Sequence, residues 1–109
     1  MAVYMAIKEL LFLSRFEQDI LAGTKTITIR DEGDSHYEPG SRVNAVVYEE
    51  GRVFGQLEIT GVEPVSIDAL DEEHAERENM SLPQLRDVLE EIYPGTKALF
   101  VVSFQLLTK

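Results

Sequence analysis

The stretch Gly23-Thr24-Lys25-Thr26-Ile27-Thr28-Ile29-Arg30-Asp31 reads as a turn that leads into a strand. Alternation puts Ile27 and Ile29 on one face and Thr26, Thr28 and Arg30 on the other. Lys25 has the wrong parity to join the hydroxyls, but a local twist or bulge and its long stem would bring the ammonium across. One short strand thus collects a lysine, two hydroxyls and an arginine. Two arrangements fit. The strand is a solvated face with threonines suited to β structure, the commoner fate of such strands, or it is one wall of a site.

Upstream of this strand, Ser14-Arg15-Phe16-Glu17 has the pattern of a capping box, and Phe16, Ile20 and Leu21 fall on one face of the helix it would open. Gly23 suits the left-handed end of that helix. Leu10–Leu13 is a short apolar run predicted as a strand, with Tyr4–Leu11 as an earlier start or a turn of helix. Downstream, Asp31–Gly40 (DEGDSHYEPG) carries the residues of a loop. Strands are predicted near Arg42–Tyr48 and Arg52–Ile59, joined as a hairpin through Glu49-Glu50-Gly51. Pro64 is expected to close the second run or the strand after it.

Two helical segments follow. Ile67–Glu78 is rich in acid. Ser81-Leu82-Pro83-Gln84 resembles a second capping box, with Leu82, Leu85, Val88, Leu89 and Ile92 as a buried stripe that Tyr93-Pro94-Gly95 ends. Ala98–Leu106 is apolar enough for the middle of a sheet. Helices interspersed in a mostly antiparallel set of strands predict an α+β fold, a small, partly open β-barrel with helices packed at its mouth and side.

The 109 residues, 44% hydrophobic and 28% charged, suit a single domain, 1–109, with one modest core. No run is long enough to span a membrane as a helix, and the start carries no basic leader, so a cytoplasmic protein is expected. The absence of cysteine excludes disulfides, thiolate metal sites and a thiol nucleophile. A net charge of −10, with ten basic residues spread along the chain, disfavours polymeric nucleic acid and favours a small ligand.

On a helical wheel at about 100° per residue, Ile67, Leu70, His74 and Glu78 share one narrow stripe. An apolar face that runs on into a histidine and a carboxylate ends at a cleft or frays into water, and the pattern allows both. A His74/Glu78 metal pair lacks a third well-spaced ligand, and a hydrogen-bonded or surface histidine is the commoner outcome.

The stretch GTKTITIRD, followed by His74-Ala75-Glu76-Arg77-Glu78-Asn79-Met80-Ser81-Leu82 and then by Ile92-Tyr93-Pro94-Gly95, resembles the small bacterial N(4)-acetylcytidine amidohydrolases of the ASCH domain family over most of the chain. That resemblance implies a PUA-like β-barrel, no cofactor, a nucleoside substrate, and removal of the acetyl group from the exocyclic nitrogen of acetylcytidine by a lysine, a threonine and a glutamate. At the matching positions these are Lys25, Thr28 and Glu78, with Arg30 in support.

The chemistry the resemblance implies makes Thr28 a nucleophile, Lys25 its base and Glu78 the proton donor to the leaving amine. The base must be a neutral amine, and burial together with the Arg30 charge would favour that form. Lys25 and Glu78 would then titrate as one coupled unit. Direct attack by water, with Thr28 orienting the acyl group, uses the same residues. Ser35, His36, Tyr37, Tyr93 and Phe100 are candidates for holding the base, although each is more often packing. The middle of the chain, Gly40–Pro64, carries the least specific resemblance. A non-catalytic reader of modified RNA on the same fold, and an acidic interaction domain, are the readings from other classes.

Overall fold

The structure, a computed structural model, describes residues 8–108, so the part of the earlier strand start at 4–7 lies outside the described residues. In chain order the elements are β1 (Lys8–Phe12), a 3-10 turn (Ser14–Phe16), α1 (Glu17–Leu21), β2 (Ile27–Arg30) and a second 3-10 turn (Glu32–Asp34). Then come β3 (Arg42–Val47), β4 (Arg52–Ser66), a third 3-10 turn (Ile67–Ala69), α2 (Glu72–Arg77), α3 (Leu82–Ile92) and β5 (Ala98–Thr108). Among the described residues no helix is long and apolar enough to cross a membrane.

The strands form one sheet in the order β1-β3-β4-β5-β2, antiparallel except for the β1–β3 pair. The register shifts between Ala45 and Val46, between Gln56 and Leu57, and between Ile59 and Gly61. Each bulge adds bend and twist, and the sheet curls into a half-barrel, the α+β PUA-like architecture expected of the sequence. The apolar run at the C-terminal end is central, as its composition predicts.

Two apolar clusters fill the fold. One is built on β1, β3 and the first half of β4, with Phe12 edge-on to both Phe54 and Phe104. In the other, Ile27 and Ile29 of β2 pack with Leu70, Leu85 and Leu89 from the helical layer. A cleft is lined by members of both clusters, Phe12 of the first and Ile29 and Leu89 of the second.

Four local expectations are corrected. Ser14 does not cap its own helix, because its N–H and hydroxyl both donate to the Glu49 carboxylate, at 2.8 and 3.0 Å. Glu17 is held by the Arg52 fork, at 2.8 and 3.0 Å. Long-range partners thus replace the local box. Gly23 does end α1, with φ +78° and its N–H on the Ile20 carbonyl. Pro64 lies inside β4, which runs on to Ser66. The β3 pairing ends at Glu58, so the last residues of β4 pair with β5 alone, and a missing N–H is tolerated at an open edge.

The single helix expected over Ile67–Glu78 is broken. Leu70 and Asp71 are extended, and the Asp71 carboxylate accepts from the N–H groups of Glu73 and His74, which starts α2 afresh. The second capping box forms as predicted: Ser81 accepts from Gln84 N–H and the Gln84 side chain accepts from Ser81 N–H. Finally, β2 begins at Ile27, two residues later than the strand expected at 25–30. The Glu49-Glu50-Gly51 hairpin is as expected, closed by Gly51 N–H on the Val47 carbonyl at 2.8 Å.

Candidate active site

Because β2 starts only at Ile27, the parity argument does not govern Lys25, which sits on the irregular segment between α1 and β2. Its N–H donates to the Asp19 carbonyl at 3.1 Å, and the next N–H, of Thr26, donates to the Arg77 carbonyl at 2.8 Å. This path turns the lysine stem inward. Lys25 is 3% exposed, while Thr26, expected on the hydroxyl face, is in solvent.

Glu78 comes from the other half of the molecule. It is the residue that ends α2, and its N–H still donates to the His74 carbonyl at 3.0 Å. At 4% exposure its carboxylate forms a buried ion pair with the Lys25 ammonium. The Lys25 Nζ also lies 4.8 Å from the centre of the Phe16 ring.

Thr28, 5% exposed, lies on β2 with its hydroxyl oxygen accepting from Arg30 Nε at 2.8 Å. The rest of the Arg30 guanidinium is fixed. Nη1 pairs with Asp34 at 2.6 Å, Nη2 donates to the Leu11 carbonyl, and the plane rests 5.2 Å from the centre of the Phe12 ring. A guanidinium held on every side is a preorganised donor. Since the Thr28 oxygen accepts from it, the hydroxyl proton stays free to be donated elsewhere.

Lys25, Thr28, Arg30, Asp34 and Glu78 share the wall of one cavity of about 340 Å³. Apolar groups from α3 and the first 3-10 turn, among them Val88, Leu89 and Phe16, line the remainder. Burial, first, and the Arg30 charge, second, push Lys25 from 10.5 down to about 7, with Asp19 acting in the opposite sense. The amine is therefore available in neutral form near physiological pH. A neutral amine beside a carboxylic acid holds the same proton as an ammonium beside a carboxylate, so the pair can take a proton at one end and release one at the other.

The remaining candidates divide. Tyr93 lines the cavity, and its phenol is pushed up chiefly by burial, against the effect of Arg30. The Tyr37 hydroxyl donates to the Glu9 carbonyl at 3.0 Å, Ser35 is buried with its hydroxyl on the Glu32 carbonyl, and His36 is exposed. Phe100 lies beside Pro64 in a separate, shallow cavity. His74 is not with Glu78: its Nδ1 accepts from Asp71 N–H at the opposite end of α2, as half of the cap. Among the described residues no three His, Cys, Asp or Glu side chains group as metal ligands.

Sequence reasoning missed Asp34, Asp19 and Phe16. Only Asp34 left a local signal, since it follows Arg30 by four residues and sits in a turn capped by Asp31.

Known proteins resemble this chain in sequence and in fold. Residues 8–93 match the ASCH domain family model. A Vibrio vulnificus protein named N(4)-acetylcytidine amidohydrolase is 57% identical over 94 residues, 86% of this chain and 90% of its own. A Shewanella baltica protein of the same name is 47% identical over 96% of this chain and all of its own. Among solved structures, the ASCH domain from Lactobacillus crispatus superposes with a TM-score of 0.80 at 17% identity, over 97% of this chain and 82% of that one, which shows the shared fold. The sequence motifs, the curled sheet and these matches together make the chain a member of the ASCH domain family, among the N(4)-acetylcytidine amidohydrolases.

Proposed function

We propose that this protein hydrolyses N(4)-acetylcytidine to cytidine and acetate, with Thr28 as nucleophile, Lys25 as base, Glu78 as proton donor and Arg30 as the group that orients Thr28. The observation that carries the reading is the burial of the Lys25–Glu78 pair in the same cavity wall as Thr28. Taking two charges out of water is costly, and a fold retains such a pair without a structural return mainly where the groups do chemistry. The names of the relatives supply the amide and its acyl group.

In the forward half-reaction, the neutral Lys25 amine takes the Thr28 hydroxyl proton as the oxygen bonds to the acetyl carbon. The oxygen of the former carbonyl carries the charge, next to the guanidinium of Arg30. Glu78 then protonates the exocyclic nitrogen, the C–N bond breaks, and cytidine leaves an acetyl group on Thr28. In the return half, the Glu78 carboxylate takes a proton from water as it attacks the ester. The Thr28 oxygen leaves with the proton held by Lys25, and both groups regain their starting forms. Acetic acid loses its proton to solvent.

A nucleoside substrate, rather than polymeric RNA, suits a cavity of about 340 Å³ in a chain of net charge −10. A cysteine-free chain suits the cytoplasm. The test is acetate and cytidine release from N(4)-acetylcytidine, run with folded Lys25→Ala, Thr28→Ala and Glu78→Ala variants. Turnover lost in all three is expected. An inactive parent protein with tight, salt-sensitive RNA binding would replace this reading with that of an RNA reader.

A further inference from the structure

We infer that Asp19 and Asn79 are a positioning pair that clamps the Lys25 segment to the Glu78 segment, a role that rests on reading the cleft as a deacetylase site. Lys25 and Glu78 are 53 residues apart in sequence. Neither lies within a strand, and one main-chain bond, from Thr26 N–H to the Arg77 carbonyl at 2.8 Å, joins the two segments beside the side-chain contact of Asp19 with Asn79.

Asp19, in α1, makes the connection with both of its carbonyl groups. Its main-chain oxygen accepts from the N–H groups of Thr24 and Lys25, at 3.0 and 3.1 Å, and from the Thr24 hydroxyl at 3.1 Å. Its carboxylate accepts from the side-chain amide of Asn79 at 3.2 Å. Asn79 directly follows Glu78. At φ +57° it is the one non-glycine residue with a left-handed backbone among those described. That conformation reverses the chain immediately after Glu78, with the Glu78 carboxylate turned inward and the Asn79 amide reaching Asp19. Glycine would accept this backbone without strain, and asparagine is the side chain that both tolerates it and supplies a donor.

The clamp also carries charge. The charged and titratable groups around the Lys25 amine are Glu78 from the end of α2, Arg30 from β2 and Asp19 from α1, with Asp34, Tyr48 and Tyr93 on the same cavity wall. Arg30 works against the ammonium and Asp19 works for it. Geometry and charge can be separated by substitution. Asn79→Gly breaks the bond and keeps the carboxylate, whereas Asp19→Asn keeps an acceptor oxygen and removes the charge.

The experiment is steady-state deacetylation of N(4)-acetylcytidine against pH for both variants and for Asp19→Ala with and without Asn79→Gly, each checked by circular dichroism and thermal unfolding. Asn79→Gly should lower kcat about tenfold with KM within about twofold of the parent and the acid limb in place, as expected when two reacting groups lose their alignment. Asp19→Asn should keep its plateau kcat and move the acid limb of kcat/KM down by about half a pH unit, the size of one partly solvated charge. The double variant should lose no more than about twofold beyond Asp19→Ala, since the bond is already gone.

Losses that multiply, or an Asn79→Gly or Asp19→Ala variant with kcat within about twofold of the parent, would overturn the clamp. An acid limb unmoved in Asp19→Asn would overturn the charge role. An NMR titration of the Lys25 side chain needs no turnover, so it tests the placement of Asp19 even if the parent protein proves inactive on acetylcytidine. A lower midpoint in Asp19→Asn supports the placement, and an unchanged one refutes it.

Discussion

Replacing Glu78 by glutamine tests whether Lys25 and Glu78 hold one proton between them. In the folded protein the pair binds one proton in either of its neutral forms. The unfolded chain near neutrality also binds one, on Lys25, so the intact pair adds little slope of stability with pH. Glutamine removes that balance. Lys25 keeps its burial and the Arg30 guanidinium, the two causes that bring it from 10.5 to about 7, and no longer faces a carboxylate. Between those limits the unfolded variant binds the proton and the folded variant does not. More protons on the unfolded state means that stability rises with pH, and the contribution is lost as pH falls toward 7.

The window spans 10.5 less about 7, or about 3.5 pH units, and at about 1.36 kcal/mol per unit the ceiling is roughly 5 kcal/mol. Water drawn to an unpaired amine lowers that figure. Urea unfolding of the parent and the variant, near pH 7 and near pH 10, makes the comparison with every other titration cancelled. Glu78→Gln should lose about 3 kcal/mol near pH 7, as for a broken buried pair, and recover most of it near pH 10. A gap that stays constant with pH would refute the reasoning, since it would mean that Lys25 carries its charge in the cleft without Glu78.

Thr28→Ser should retain measurable deacetylation, whereas Thr28→Ala should lose about a thousandfold or more in kcat, read by acetate release. Near-normal turnover by the alanine variant would eliminate covalent attack. The kcat/KM of the parent should rise with pH through about 7, because the reactive lysine is the neutral form, and a flat profile from pH 6 to about 8 would contradict that. Ser81→Ala should cost about 1 kcal/mol in urea unfolding by removing the cap of α3. Arg52→Ala should leave the urea midpoint nearly unchanged despite its fork on Glu17, since the arginine side chain is 47% exposed and solvent screens the pair.

Much of the fold was legible because its signals are local. The Ser81 capping box, the Gly23 helix end, the hairpin at Glu49-Glu50-Gly51 and the apolar final strand each depend on residues within a few positions of one another. Where a distant group offered a stronger partner, the local reading failed. Ser14 was claimed by Glu49, and Pro64 was admitted to a strand because the neighbouring strand had already ended. The break at Leu70–Asp71 is the intermediate case. The aspartate that starts α2 is in plain view, but the wheel that joined Ile67 to Glu78 assumed one unbroken helix.

The sequence by itself determined which side chains are available for chemistry: a lysine, a threonine and an arginine on one short stretch, a glutamate at the end of an acidic helix, and no cysteine. It also carried the motifs that resemble the family. Only the tertiary structure decided that Lys25, on irregular backbone ahead of β2, turns inward, that Glu78 is buried against it, and that His74 bonds Asp71 at the other end of α2. The physical reason is that a pKa and an ion pair depend on burial and on distances between segments 53 residues apart. Those distances are set by the Asp19 and Arg77 contacts and by the packing of helices on the sheet, which no local pattern encodes.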